Sequence, residues 1–142
     1  MSSSDAVNWQ PIAQMRLIAS MIDGALRDTT DHLQTLTAVQ AKPHVLDDAT
    51  VDRSVRVHAE QLEFVDIYER QLRRWQAERP SAAQQRELDR LEQQNRRLRE
   101  VTMAVLAAAQ ELRKGTINHV MARSDLELGL AALLGQPPTR RP

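Results

Sequence analysis

Between Leu88 and Leu112 the chain repeats Leu88, Leu91, Asn95, Leu98, Thr102, Val105, Ala109 and Leu112 at unbroken spacings of three and four. That is the period of one helix face, and no alternating strand can satisfy it. With Leu88 at heptad position a and Leu91 at d, the d positions read Leu91, Leu98, Val105 and Leu112, and the a positions Leu88, Asn95, Thr102 and Ala109. Leucine at d with a single asparagine at a is the pattern that fixes register and strand number in parallel two-stranded coils. Leu88, Leu91, Asn95 and Leu98 are therefore the candidate interaction seam of a homodimer. The alternative is packing on other helices of the same chain, with Asn95 hydrogen-bonded at the bundle surface.

The rest of the chain supplies those helices. Met15, Ala19, Ile22, Leu26, Thr29, Leu33 and Leu36 form one face of a first helix over about 9–40, widened at its start by Leu17, Ile18, Met21 and Ala25. Gly24 within it is read as a place where a neighbouring helix approaches closely. Pro43 closes this helix off. A second helix over about 48–79, capped by Asp48 or Thr50, buries Val51, Val55, His58, Leu62, Val65, Tyr68, Leu72 and Trp75 and ends at Pro80. Ser81 followed by Gln84 makes a capping box for the third helix, over about 82–114. So short a turn folds the second and third helices into an antiparallel hairpin. Its stripe has polar flanks up to Glu100 and apolar ones from Val101, which predicts a tip that protrudes and joins the body near Val101.

After Gly115 the pattern breaks into two short pieces. Thr116 starts one helix over 117–123, and Ser124 with Glu127 reads as a second capping box for another over 125–134. Leu126, Leu130, Leu133 and Leu134 make this a C-terminal apolar helix with more apolar surface than docking on one side needs. It can lie in a groove of its own bundle, in a second subunit, or against an unidentified protein partner. The prolines at 137 and 138 stop that helix, and residues 136–142 are expected to form a flexible tail. The fold class is all-α: an elongated antiparallel bundle of three long helices, with coiled-coil character in the hairpin, and two short C-terminal helices closing one end. Residues 1–135 form a single domain.

Composition supports this reading and narrows the chemistry. Only 3% of the 142 residues are aromatic, and Ala, Leu, Gln, Glu and Arg dominate, which disfavours a β-sandwich. Without cysteine there is no disulfide, thiolate nucleophile or sulfur-based zinc site. None of His32, His44, His58 or His119 has the Glu-x-x-His spacing of a metal-binding bundle. His58 lies on an apolar face and is read as a hydrogen-bonded core or rim histidine. No phosphate-cradling glycine loop or nucleophile elbow occurs. No enzyme activity, cofactor or metal is expected.

Nineteen basic and nineteen acidic residues cancel, so no global field draws the molecule to nucleic acid. Residues 69–100 are locally basic, with nine bases against six acids. Arg70, Arg73, Arg74, Arg86, Arg90, Arg96 and Arg97 form a candidate basic tip on the hairpin that could contact phosphates. The segment from Thr116 to Leu134 has the size of a helix-turn-helix, but its last helix offers almost no polar side chain for base edges. The start MSSSDAVNWQ lacks a leader pattern and no long apolar run follows, so a cytoplasmic protein without a membrane span is expected. The expected role is a non-enzymatic helical interaction module, an adaptor, chaperone-like or assembly factor, self-associating through helix surfaces. A small nucleic-acid-associated regulator using the basic tip is the alternative.

Overall fold

A computed structural model describes residues 7–134, and among them every regular element is helical. A 3-10 turn, Ile12–Gln14, leads into α1, Met15–Ala38. A second, Pro43–Val45, precedes α2, Asp48–Gln76; α3, Ala82–Arg113, and α4, Ile117–Leu133, follow. The cap of α2 is Asp47 rather than Asp48 or Thr50. Its extended backbone aims the carboxylate at the Thr50 amide, 2.7 Å away. At α3 both bonds of the capping box form: the Gln84 amide donates to Ser81 Oγ and the Ser81 amide to Gln84 Oε1.

Cross-helix pairs fix the topology. Gln76 meets Glu92, Asn95 meets Val65, Gln61 meets Thr102 and Arg113 meets Asp52, so α2 and α3 run antiparallel. Asp23 takes a two-pronged bond from Arg90 at 3.0 and 2.9 Å and a third from Gln94, and Leu36 clusters with Val105 and Ala109 further on, so α1 runs along α3 in the same direction. The helix at the centre is α3. Helices α1 and α2 each pack along it and meet each other only sparsely.

The core has two apolar parts. Met15, Ile18, Ala19, Ile22, Val65, Tyr68, Leu72, Trp75, Leu88, Leu91 and Leu98 form one, and Leu36, Val51, Val105, Ala109 and Leu112 the other. Between them lies a polar layer. The Gln61 side-chain amide donates to Thr29 Oγ1 on α1 and to Thr102 Oγ1 on α3, each at 2.8 Å, and Thr102 donates onward to the Leu98 carbonyl. One glutamine thus spends both amide protons joining three helices, which leaves neither threonine oxygen unmatched at this depth.

Three expectations are corrected. The hairpin tip does not protrude: the broad apolar start of α1 covers Leu88 and Leu91. Ahead of α1, the Gln10 carbonyl accepts from Trp75 Nε1 at 2.9 Å. The polar flanks are explained by Arg90 and Gln94, which reach α1 through Asp23 instead of through apolar contact. Gly24 admits no neighbouring helix, since a Cβ there would approach only Arg27 of the same helix, at 3.9 Å. The two short C-terminal helices are one continuous α4 that does not close the bundle. Serine inside a helix costs only a few tenths of a kcal/mol up to ~0.7, and neither glycine nor proline interrupts residues 122–125, so Ser124 starts no new helix. The tail 136–142 lies outside the described residues.

Candidate interaction surfaces

The first turn of α4 is tied to the bundle through one carboxylate. Thr116, fully buried, donates its hydroxyl to Asp48 Oδ1 at 2.5 Å, and Arg113 and His119 approach the same oxygen at 3.0 and 3.7 Å. Arg113 also pairs with Asp52. The Asp48 amide donates to Asn118 Oδ1 and the Ile117 amide to the Leu46 carbonyl, both at 2.8 Å. These donors, the Thr116 hydroxyl first and the Arg113 charge next, hold the Asp48 carboxyl below its ordinary range. Gly115 lets this junction close: a Cβ there would sit 2.6 Å from Pro43 Cγ. Thr116 stands at the N-cap position foreseen for it, but its hydroxyl serves Asp48 and not an α4 amide.

Beyond that first turn the helix leaves the bundle. No residue of α4 is buried. Leu126 is 72% exposed, Leu133 86%, and Leu130 and Leu134 are also exposed. At 100° per residue, Leu126, Leu130 and Leu133 line one face, while Ile117, Val120, Met121 and Leu128, all exposed as well, line the opposite one. A helix apolar on both sides has the composition of a buried element.

A second apolar surface opens where α1 and α2 meet only sparsely. Ala25 borders it on α1, with Met21 and Leu17 one and two turns before it on the same side of the helix, and Val57, Phe64 and Tyr68 border it on α2; Leu17, Met21, Val57 and Phe64 are exposed. Two cavities of about 230 and 460 Å³ run along this groove, the smaller lined by Ala25, Val57, Phe64 and Tyr68 with Glu60 and Gln61, the larger by Val57 among polar side chains that include Asp28 and Arg53. The larger contains a clasp between the helices. The rings of His32 and His58 stack with centroids 4.9 Å apart, and Ser54 bonds both, its hydroxyl to His32 Nε2 and its carbonyl to His58 Nδ1. Burial, and then the neighbouring His58, pushes the His32 pKa down. Both effects favour the neutral form of His32.

The seam residues lie elsewhere. Leu88, Leu91 and Leu98 are 0% exposed and Asn95 is 4% exposed, all within the chain's own core. Asn95 Nδ2 donates to the Val65 carbonyl of α2 at 3.1 Å, so its partner is intramolecular. Its Oδ1 has no bond among the described residues, and Asn95 borders a cavity of about 240 Å³ together with Glu69, Arg73, Glu92, Arg96 and Arg99.

The basic tip is dispersed. Arg73 pairs with Glu69, and Arg90 with Asp23 and Glu87; nearby, Arg99 pairs with Asp66 and Glu69. Arg70 and Arg74 sit over the Trp9 ring, 5.6 and 4.7 Å from its centre. Arg86, Arg96 and Arg97 have no ion pair among the described residues. No group of three or more metal-ligating side chains occurs among those residues, and none of their helices is long and apolar enough to cross a membrane.

No family model, curated protein or solved structure matches the chain. The surfaces themselves carry the functional argument. Sequence reasoning found the α4 leucines but missed the Asp48 junction and the α1/α2 groove. Leu17 and Met21 widen the apolar face of α1, and such widening is the signal of a face extending past the core.

Proposed function

We propose that this chain is a non-enzymatic protein–protein interaction module, an adaptor, chaperone-like or assembly factor, that self-associates through α4. The observation that supports it is the contrast within that helix, fastened at Thr116 and exposed over apolar residues on both faces from Ile117 to Leu134. Burying one leucine side chain is worth about 1.5–3 kcal/mol, so several together offer a substantial driving force against the cost of association. The α2/α3 hairpin, with its coiled-coil-like stripe spent inside the chain, acts in this reading as the rigid body that carries α4. A homodimer in the cytoplasm is the form we propose.

Light scattering of the full chain over micromolar concentrations tests it. We expect a dimer mass for the native sequence and a monomer mass for Leu126→Glu/Leu130→Glu/Leu133→Glu with its helix content retained. A native chain that stays monomeric at about 100 µM removes the self-association reading. The nucleic-acid alternative rests on Arg86, Arg96 and Arg97 alone. It is dismissed if duplex DNA is not retained at low salt, where phosphate contacts are strongest.

A further inference from the structure

Resting on the reading of α4 as the docking element, we infer that α4 of one copy inserts its Leu126, Leu130 and Leu133 face into the α1/α2 groove of a second copy. Each chain then donates one helix and accepts one, completing a four-helix bundle twice. Three observations lead there. The same chain carries both an unburied apolar helix and an unfilled apolar groove, and closed reciprocal exchange of an element is the symmetric way to satisfy both.

The second is dimensional. Leu126 and Leu133 lie seven residues apart, about 10 Å along a helix, and Val57 and Phe64 on the groove wall have the same separation. Leu17 to Ala25 spans about 12 Å on the opposite wall. The apolar ridge therefore fits within the trough, which Tyr68 carries further along α2.

The third is extent. A stable interface engages roughly 20–30 residues a side. The 17 residues of α4 fall short when two such helices pair only with each other. Reciprocal insertion engages two surfaces on each chain, the donated α4 face and the groove walls with Val57 and Phe64, and so about doubles what a pairing of α4 with α4 alone would bury. The opposite α4 face, with Met121 and Leu128, then lies outward over the filled groove.

The absence of native cysteine makes the geometry directly testable. Single variants Phe64→Cys and Leu130→Cys are mixed as full-length chains, allowed to exchange, and oxidised mildly; we expect a cross-linked heterodimer as the dominant product. Phe64 is half-exposed in the single chain, so Phe64→Glu should keep the helix content while raising the dimer dissociation constant at least tenfold. Dominant cross-linking of Leu130→Cys with itself, or with Met103→Cys on the exposed side of α3, in a chain that still has dimer mass overturns the insertion and leaves self-association standing. An unchanged dissociation constant for Phe64→Glu also overturns it. Monomer mass for the native chain overturns both proposals. So does a Phe64→Cys/Leu130→Cys double variant that closes within one chain, which would mean that α4 fills its own groove.

Discussion

Helices α3 and α4 are both rich in leucine, and they differ in almost everything that leucine is supposed to decide. In α3 the leucines of the stripe are buried completely or nearly so, while in α4 every leucine is exposed. Phase separates them. The α3 leucines share one stripe that α1 and α2 cover together, whereas α4 places Leu128 opposite Leu126 and Leu130, beyond the reach of any single neighbour. Hydrophobic content states how much surface must be buried; the arrangement around the helix states how many partners that takes.

The sharpest way to break this comparison is to truncate one leucine in each helix. Leu91→Ala should cost about 2–5 kcal/mol in chemical denaturation of the monomer, as cavity-forming substitutions in a packed core do. Leu130→Ala should change that monomer value by less than about 0.5 kcal/mol, the ordinary scale for an exposed site. Equal losses would mean that α4 is docked on its own bundle.

A smaller effect concerns the junction. Gly115→Ala forces a methyl group against the Pro43 ring and should cost about 1–3 kcal/mol, or else displace α4 from its anchor. Proteolysis within 117–134 should then quicken while α3 remains resistant. A variant as stable and as resistant as the native chain would show that Pro43 yields freely.

Acid should loosen the same junction. Because the folded-state pKa of Asp48 is depressed, its contribution is fully present above the ordinary carboxylate value of about 3.9 and is lost as pH falls through the lower folded value. Exchange of the Ile117 amide should therefore accelerate in strong acid beyond the change seen in Asp48→Asn, which lacks the titrating group. Identical pH profiles for the two chains would remove Asp48 from the anchor.

The smallest expected effect is a gain. A Cβ at Gly129 meets nothing within 4 Å, so Gly129→Ala should stiffen α4 by up to about 1 kcal/mol without moving the unfolding of the bundle. The same substitution at Gly24, which is also uncrowded but lies in α1, should instead raise the stability of the bundle. Thermal unfolding of the two variants separates the cases.

The sequence made α2 and α3 legible because their signals are local: a period of three and four, Pro80 as a stop, and Ser81 with Gln84 as a start. It was misleading about the tip because polar flanks look solvent-facing until their partner is known. Arg90 and Gln94 spend their polarity on Asp23, 67 and 71 residues away. The polar layer was hidden for the same reason, since Gln61 acquires its role only when Thr29 and Thr102 flank it. Asn95 stood out as an interruption of the stripe, but nothing in the stripe tells a carbonyl of α2 from a second asparagine across a dimer. At the C-terminal end, Ser124 with Glu127 has the spacing of a helix start; the pattern lacks the residue that would end the preceding helix.

Hydrogen exchange of α4 measured across a dilution series tests the self-association of this chain most directly. The α4 amides beyond the anchored first turn should exchange rapidly in the dilute monomer and become protected as concentration rises, while the buried centre of α3 stays equally protected throughout. Protection of α4 matching that of α3 in the most dilute sample, or no gain at any concentration, would contradict it.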